Sequence, residues 1–181
     1  ERIPFVSFPS EWGFGQLRAA ALLTLRVQQA ALAHGMILKD ASAFNVQFTG
    51  ARAVLVDTLS FERYETAEPG VAYRQFCQHF LAPLALMARL DVRLRDLLRA
   101  QLDGIPLDLA SALLPWHTRF APWAALHLHL HARSIAKHAS TRSAASSPRA
   151  TSKVSRTGLE GLIAHLRGAV ETLSLPRLGT E

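Results

Sequence analysis

Residues 34–57 read HGMILKDASAFNVQFTGARAVLVD and hold the clearest structural pattern in the chain. Within them, Val46 and Phe48 alternate with polar residues before a glycine-containing turn, and Val54–Val56 form a second apolar run. Apolar residues at every second position, followed by a short turn and another β-favouring run, are typical of two antiparallel strands. The pattern therefore predicts a β-hairpin over residues 45–57.

The segment before this hairpin predicts a long helix. Residues 15–33 place leucines and alanines three or four positions apart, so that they share one helix face. His34 and Gly35 follow directly. Glycine after the last turn is a common helix end because it tolerates a left-handed backbone. We therefore expect a helix that leads the chain into the hairpin region.

The segments after the hairpin are also predicted to be helical. Their apolar spacing, with prolines and glycines near the ends, predicts five helices. These helices cover Val71–Arg89 with an interruption at Pro83, Asp91–Leu102, Leu107–Leu114, Trp123–Ala139 and Gly158–Leu173. The expected fold class is therefore mainly α with a small β-hairpin, an α+β arrangement.

The formal net charge of +6 is unevenly distributed along the chain. Residues 1–108 contain 11 basic and 11 acidic residues, whereas residues 109–159 contain 7 basic residues and no acidic one. The Ser-, Thr- and Ala-rich stretch 138–157 has too little apolar surface to offset the entropy cost of ordering. We expect a helical body with the hairpin over 1–137, a flexible basic linker over 138–157 and a C-terminal helix over 158–181. The linker has no aromatic residue to stack on bases, so nucleic acid is not an expected partner.

Several simple features indicate a cytoplasmic protein. The single cysteine, Cys77, cannot form an internal disulfide, and no stretch approaches the roughly 18 uncharged apolar residues that a membrane span requires. The chain opens at Glu1 without an initiator methionine or a signal segment. We therefore expect a cytoplasmic location, no membrane contact and a chain that is part of a longer polypeptide.

Three polar residues mark the candidate functional site. Asp40 and Asn45 lie in the loop before the hairpin, and Asp57 follows its second strand. The hairpin should bring all three to one of its ends. The string resembles the protein-kinase-like fold, in which a helix leads into an Asp-x-x-x-x-Asn loop and a hairpin that ends in a metal-binding Asp. The resemblance covers residues 15–114 and implies the carboxy-terminal lobe of that fold.

The resemblance implies a role for each site residue in phosphoryl transfer. Asp40 would be the catalytic base or orienting group, and Lys39 would orient the loop or balance the nearby carboxylates. Asn45 and Asp57 would bind Mg²⁺ and, through it, the phosphates of ATP, because Mg²⁺ prefers hard oxygen ligands. The expected function is therefore a kinase-like phosphotransferase region with Mg²⁺ and ATP as cofactors.

Other features depart from the kinase pattern and support an alternative. Asp57 is followed by Thr58-Leu59-Ser60 where protein kinases have Phe-Gly, and no Gly-rich strand-turn-strand with a phosphate-facing Lys is present. Taken singly, Asp40 could cap a turn, Asn45 could satisfy loop backbone and Asp57 could end a strand. The alternative expectation is a catalytically silent, pseudokinase-like scaffold or docking module.

A longer string resembles a narrower group. Residues 38–48 and 56–62, LKDASAFNVQF and VDTLSFE, are similar to bacterial nodulation-related proteins of the class I methyltransferase type, which use S-adenosylmethionine. In that group a kinase-like region precedes the methyltransferase domain. The resemblance implies an attached methyltransferase domain after residue 181 as the partner of this region, with S-adenosylmethionine bound there. The chain itself shows no Gly-rich strand-to-helix turn that could bind this cofactor.

A histidine cluster is a second, less favoured candidate site. His127, His129 and His131 alternate with leucines, and His127 and His131 would share a helix face with metal-compatible spacing. A third ligand is missing, because residues 109–159 contain no acidic side chain. A position on the helix surface or packing in the core is therefore favoured over Zn²⁺ binding for these histidines.

Overall fold

The computed structural model describes residues 3, 5–64, 69–130 and 155–176. These residues are mainly helical and contain two small antiparallel sheets, in agreement with the α+β fold class expected from the sequence. Within these ranges, no helix has both the length and the apolar character that crossing a membrane requires.

The first long helix, α1, spans Phe14–Ala33. Alanine and leucine dominate it, and both favour a helix because they lose little side-chain entropy there. Its buried apolar residues are Phe14, Leu17, Ala20, Ala21, Leu25, Ala31 and Leu32. The helix ends before Gly35, which has a φ of 70°, a left-handed conformation that the absence of a Cβ atom permits. The position and the end of α1 both confirm the sequence prediction.

Two two-stranded antiparallel sheets follow α1. In one, β1 (Met36–Leu38) pairs with β4 (Phe61–Arg63). In the other, β2 (Val46–Thr49) and β3 (Arg52–Leu55) form the predicted hairpin. The sequence analysis did not predict the β1–β4 sheet, because strands of three residues are too short to show an alternating pattern. This sheet joins the chain before the hairpin to the chain after it.

The next helical stretch contains a π-helical turn. It consists of α2 (Pro69–Phe76), the π-helical residues Cys77–Leu81 and α3 (Ala82–Arg89). The sequence predicted a helix over Val71–Arg89 interrupted at Pro83, and the interruption is the π-helical turn just before this proline. Proline has no amide hydrogen to donate to the preceding turn, and a π-helical turn accommodates this without ending the helix.

The segment after α3 is less regular than predicted. Where one helix was expected over Asp91–Leu102, a 3₁₀-helical stretch, Val92–Asp96, leads into a single α-helical turn, α4 (Leu97–Ala100). The Asp91 side chain accepts a hydrogen bond from the Arg93 amide at 2.8 Å. Such local bonds favour tight turns over α-helix. The prediction was therefore wrong about the type and length of this element.

Four further elements follow α4 in the described part of the helical body. α5 (Leu107–Leu113) confirms its prediction, and a 3₁₀-helical stretch, Trp116–Phe120, follows it. The helix predicted over Trp123–Ala139 begins as α6 (Pro122–Ala124) and continues as a π-helical stretch, Ala125–Leu130. The rest of this predicted helix lies outside the described residues.

The last helix of the described residues, α7 (Arg156–Thr172), packs against α1. The Ser155 hydroxyl caps α7 by accepting a hydrogen bond from a first-turn amide at 3.1 Å. At the other end, Arg18 of α1 donates to the carbonyls of Val170 and Glu171 at 3.1 and 2.8 Å. These bonds satisfy carbonyl groups of the last turn, which have no partner within the helix.

The position of α7 also bears on two predicted boundaries. The helix predicted over Gly158–Leu173 is confirmed, and it begins two residues earlier, at Arg156. The predicted basic linker over 138–157 lies outside the described residues except for 155–157, of which the last two belong to α7. Residues 177–181 of the predicted C-terminal segment also lie outside the described residues.

Candidate functional site

Two short segments form the candidate site: the loop between β1 and β2, and the turn between β3 and β4. Beyond the β1–β4 sheet, the Lys39 amide donates to the Ser60 carbonyl at 2.8 Å. At the end of the hairpin, the Val56 amide donates to the Asn45 carbonyl at 2.9 Å. These backbone bonds hold the loop and the turn side by side.

Ser60 connects the two segments through its side chain. Its hydroxyl donates to Asp57 Oδ2 at 2.6 Å and accepts from Asn45 Nδ2 at 3.0 Å. Ser60 is only 1% exposed, so little water competes for these hydrogen bonds. The structure therefore joins two of the predicted site residues, Asn45 and Asp57, through one hydroxyl group.

The side-chain amide of Asn45 has a defined orientation. Its Nδ2 donates to Ser60 Oγ and, in a longer bond of 3.4 Å, to the Asp40 carbonyl. A flipped amide would place its oxygen against the carbonyl oxygen of Asp40, and two acceptors repel each other. Among the described residues no hydrogen bond involves Asn45 Oδ1. The amide oxygen is therefore the Asn45 atom that can bind a ligand.

Both carboxylate oxygens of Asp57 accept hydrogen bonds within the turn. Oδ1 accepts from the Leu59 amide at 2.8 Å, and Oδ2 accepts from the Ser60 hydroxyl. The Ser60 hydroxyl, the Leu59 amide and, more weakly, the charge of Lys39 lower the pKa of Asp57 from its ordinary value of 3.8. Asp57 is therefore an anion at neutral pH, and each oxygen retains a lone pair for a cation.

Asp40 lies in the same loop as Asn45. Its Oδ1 accepts from the Ser42 amide at 2.8 Å, which stabilises a turn within the loop. The Asp40 charge also acts on His79: burial lowers the pKa of His79, whereas the charges of Asp40 and Asp103 oppose that shift. Within the described chain, no hydrogen bond joins the Asp40 carboxylate to Asp57. The link between Asp40 and the other site residues is its backbone carbonyl.

The fourth predicted residue, Lys39, has an exposed side chain. Its charge acts on Asp57, as a minor contribution to the low pKa of that carboxylate. The structure thus brings Lys39, Asp40, Asn45 and Asp57 to one end of the hairpin. It joins Asn45 and Asp57 most directly.

Sequence reasoning missed Ser60 and two glutamines that support the site. Gln75 Oε1 accepts from the Ala41 amide at 3.2 Å, and Gln28 Oε1 accepts from the Leu38 amide at 2.8 Å. The position of Ser60 three residues after Asp57 was a usable signal, because an Asp and a hydroxyl at this spacing can meet across a turn. The glutamines gave no local signal, since their partners lie on other elements.

The atoms of this site fit a hard cation. The Asn45 amide oxygen and the ionised Asp57 carboxylate are the oxygen donors that Mg²⁺ prefers. Mg²⁺ is usually held by one or two carboxylates together with water and substrate phosphates, so two protein ligands are enough. In the ranges that the structure describes, no group of three or more His, Cys, Asp or Glu side chains could form a metal site. Asn45 and Asp57 are the two residues of the candidate site whose oxygen atoms could hold such a cation.

His127 and His129 are packed inside the helical body, which is one of the two arrangements that the sequence analysis left open. His127 is buried, with Nδ1 2.8 Å from the Tyr73 hydroxyl and Nε2 2.7 Å from Nδ1 of His165 on α7. His129 is also buried, and both its ring nitrogens lie within hydrogen-bond distance of hydroxyl groups. His131 lies outside the described residues.

Comparisons with known proteins give one informative match. The chain is similar to the nodulation protein NoeA of Rhizobium meliloti (strain 1021), with 36% identity over 138 residues. The match covers 76% of this chain and 28% of the NoeA sequence, so the chain spans less than a third of that relative. No family model matches the chain, and no solved structure matches it. The similarity therefore connects this chain to one part of a nodulation-related protein.

Proposed function

We propose that this chain is the carboxy-terminal-lobe part of a kinase-like phosphotransferase region, which binds Mg²⁺ and the phosphates of ATP through Asn45 and Asp57. The observation that carries the proposal is the hydrogen-bonded chain from Asn45 Nδ2 through Ser60 Oγ to Asp57 Oδ2. It unites an amide from the segment before the hairpin with a carboxylate from the segment after it. These are the two groups to which the kinase resemblance assigns the metal.

The order of elements also supports the proposal. α1 ends at a His-Gly pair, β1 leads into the loop that contains Asp40 and Asn45, and the hairpin delivers the chain to Asp57. Helices make up most of the described chain after β4. This is the succession of elements that the resemblance implies.

Each site residue has a chemical role in the proposed reaction. The ionised Asp57 and the Asn45 amide oxygen would hold Mg²⁺, which offsets phosphate charge when it is bound. Asp40 would accept or orient the proton of the attacking hydroxyl. Lys39 would balance the negative charge beside Asp57.

A partner-docking scaffold is the second candidate function, and an exposed aromatic pair favours it. Trp116 and Phe120 are 71% and 77% exposed, with their ring centroids 5.8 Å apart. Large aromatic side chains are enriched where proteins bind one another. The turn at Asp57 is also complete without a ligand, because both its carboxylate oxygens already accept hydrogen bonds.

We further propose that this region belongs to a longer cytoplasmic protein with an attached S-adenosylmethionine-dependent methyltransferase domain. The similarity to 28% of NoeA supports a larger parent protein. The strings around Asp40 and Asp57, which resemble the methyltransferase-linked group, support the identity of the partner domain. The cytoplasmic location is supported by the single cysteine, Cys77, which has no disulfide partner in the chain.

Titration with Mn²⁺ as a paramagnetic substitute for Mg²⁺, with and without ADP, tests the proposed site by NMR. Bound Mn²⁺ should first broaden the signals of the Asn45 side-chain amide and the Leu59 backbone amide. Asp57→Asn should abolish this broadening. A matched control is Asp91→Asn, because Asp91 also accepts from an amide two residues later at 2.8 Å.

The outcome separates the two candidate functions. Loss of broadening in Asp57→Asn together with its retention in Asp91→Asn supports the nucleotide and metal site. If Mn²⁺ with ADP does not broaden these signals in the unmodified chain, the phosphotransferase proposal is wrong and the scaffold remains.

A further inference from the structure

We propose that Ser60 is the positioning residue of this site: its hydroxyl fixes the Asn45 amide and the Asp57 carboxylate in the arrangement that receives a metal-bound phosphate. The inference rests on the proposed function. It adds a residue that neither the sequence motif nor the similarity to NoeA assigns.

The direction of the two hydrogen bonds at Ser60 is determined by chemistry. An ionised carboxylate can only accept, so the single hydroxyl hydrogen of Ser60 points to Asp57 Oδ2 at 2.6 Å. An amide nitrogen can only donate, so Asn45 Nδ2 gives its hydrogen to a lone pair of Ser60 Oγ at 3.0 Å. A hydroxyl makes both bonds at once, whereas an alanine methyl group makes neither.

The Ser60 side chain is held in place by its surroundings. Ser60 is 1% exposed and directly precedes β4, and its carbonyl accepts from the Lys39 amide at 2.8 Å. Its backbone is therefore fixed to the loop that contains Asp40 and Asn45. Because the side chain is buried, water does not readily replace the hydroxyl if it is removed.

Removal of the hydroxyl should release Asn45 more than Asp57. Without Ser60 Oγ, Asn45 Nδ2 keeps only the 3.4 Å bond to the Asp40 carbonyl. Asp57 keeps the Leu59 amide at 2.8 Å on its other oxygen. The amide could then rotate, and its oxygen would no longer be held in one orientation. Supporting residues of this kind typically change metal affinity by about 10- to 100-fold.

The test compares Ser60→Ala with Ser60→Thr, which keeps the hydroxyl. We expect Ser60→Ala to shift the Asn45 side-chain amide signals and to weaken Mn²⁺ binding about tenfold or more. Ser60→Thr should leave both unchanged. If threonine does not fit, Ser60→Cys, which has no extra methyl group and whose thiol donates and accepts weakly, should give an intermediate affinity. The matched control is Thr24→Val, which removes another buried hydroxyl, one that donates to the Ala20 carbonyl within α1 at 3.0 Å.

Each result has a defined meaning. Wild-type Mn²⁺ affinity in Ser60→Ala, together with loss of binding in Asp57→Asn, overturns the positioning role and leaves the proposed function standing. Equal losses of affinity in Ser60→Ala and Thr24→Val also overturn the role, because they would show general destabilisation. Absence of Mn²⁺ and ADP binding in the unmodified chain overturns the proposed function and, with it, the role of Ser60.

Discussion

His127 Nε2 and His165 Nδ1 lie 2.7 Å apart, so one imidazole–imidazole hydrogen bond joins the body of the protein to α7. His127 is buried, whereas His165 is exposed on its helix. The other ring nitrogen of His127 lies 2.8 Å from the Tyr73 hydroxyl. α7 is therefore attached by a directional polar contact as well as by its apolar face.

Replacement of His165 tests this contact. His165→Ala removes the partner of a buried ring nitrogen, so we expect the free energy of unfolding to fall by about 1–2 kcal/mol. His117→Ala, at an exposed position of the 3₁₀-helical stretch, should change it by less than about 0.5 kcal/mol. Urea unfolding monitored by circular dichroism measures both values. Equal effects of the two substitutions would contradict a specific role for the histidine pair.

The apolar face of α7 gives a second prediction. Ile163 is 5% exposed, and Ile163→Ala should destabilise the protein by about 2–4 kcal/mol through lost burial and the cavity left behind. Arg167 is on the exposed face, where it pairs with Glu171 at 2.9 Å. Such exposed pairs contribute little, so Arg167→Ala should cost no more than about 0.5 kcal/mol. The same urea experiments compare them, and a small effect at Ile163 would mean that α7 is not docked on α1.

Two glycines should respond in opposite directions to alanine. Gly104 has a φ of 86°, and an added Cβ would lie 2.7 Å from Gln78 Cβ and 2.8 Å from the Gln78 carbonyl carbon. Gly104→Ala should therefore destabilise by about 3 kcal/mol, from backbone strain and steric overlap combined. Gly161 is inside α7 with open space around it, and Gly161→Ala should stabilise by about 0.5–1 kcal/mol. Thermal melting reports the sign of each change, and a tolerated Gly104→Ala would contradict the described approach of the two segments.

Cys77 should be chemically inert in the folded protein. Its side chain is fully buried, and burial raises the pKa of the Cys77 thiol to about 12, an effect that a hydrogen bond with Tyr73 partly opposes. The thiolate is the reactive form, so iodoacetamide at about pH 8 should modify the native protein more than 100-fold more slowly than the denatured chain, as an order of magnitude. Mass spectrometry of timed samples measures the rates. Rapid labelling of the native state would show frequent local opening around the π-helical turn.

The hydrogen bonds at Asp57 predict a dependence of stability on acid pH. The folded-state pKa of Asp57 lies below the ordinary value of 3.8, so its stabilising contribution is fully present above that value and is lost as the pH falls through the folded pKa. Asp57→Asn cannot show this dependence. The melting temperature of the unmodified chain should thus exceed that of the variant at about pH 6, and the difference should shrink toward about pH 2–3. A difference that stays constant over this range would contradict an ionised, hydrogen-bonded Asp57.

The sequence predicted the elements that depend on local patterns. The predictions of α1 and of the β2–β3 hairpin were confirmed, because both rest on local signals, namely apolar periodicity and a glycine at the turn. In the structure these glycines, Gly35 and Gly50, have φ angles of 70° and 60°. The β1–β4 sheet was missed because its pairing joins residues 23 or more positions apart and its strands are short. The prediction of one helix over 91–102 was wrong because the Asp91 side chain stabilises a tight turn at its start.

The sequence predicted the polar residues of the site but not the hydroxyl group that joins two of them. Asp40, Asn45 and Asp57 were found by their spacing, and Ser60 was not considered. Its importance depends on its burial and on the hydrogen bond from Asn45, which lies 15 positions earlier on the other side of the hairpin. Long-range pairing of this kind leaves little trace in a single sequence. The partnership of His127 with His165, 38 positions apart, was unpredictable for the same reason.

The packing of α7 on α1 also determines when the chain can finish folding. About 120 residues separate the end of α1 from the start of α7, so their contact closes a long loop and forms late. At a synthesis rate of about 5–20 residues per second, the part of α1 that packs on α7 remains without this contact for roughly 6–25 s during synthesis. During that interval the nascent chain presents an apolar surface that general chaperones bind. Premature termination before α7 would make that exposure permanent and would direct the product toward aggregation or proteolysis.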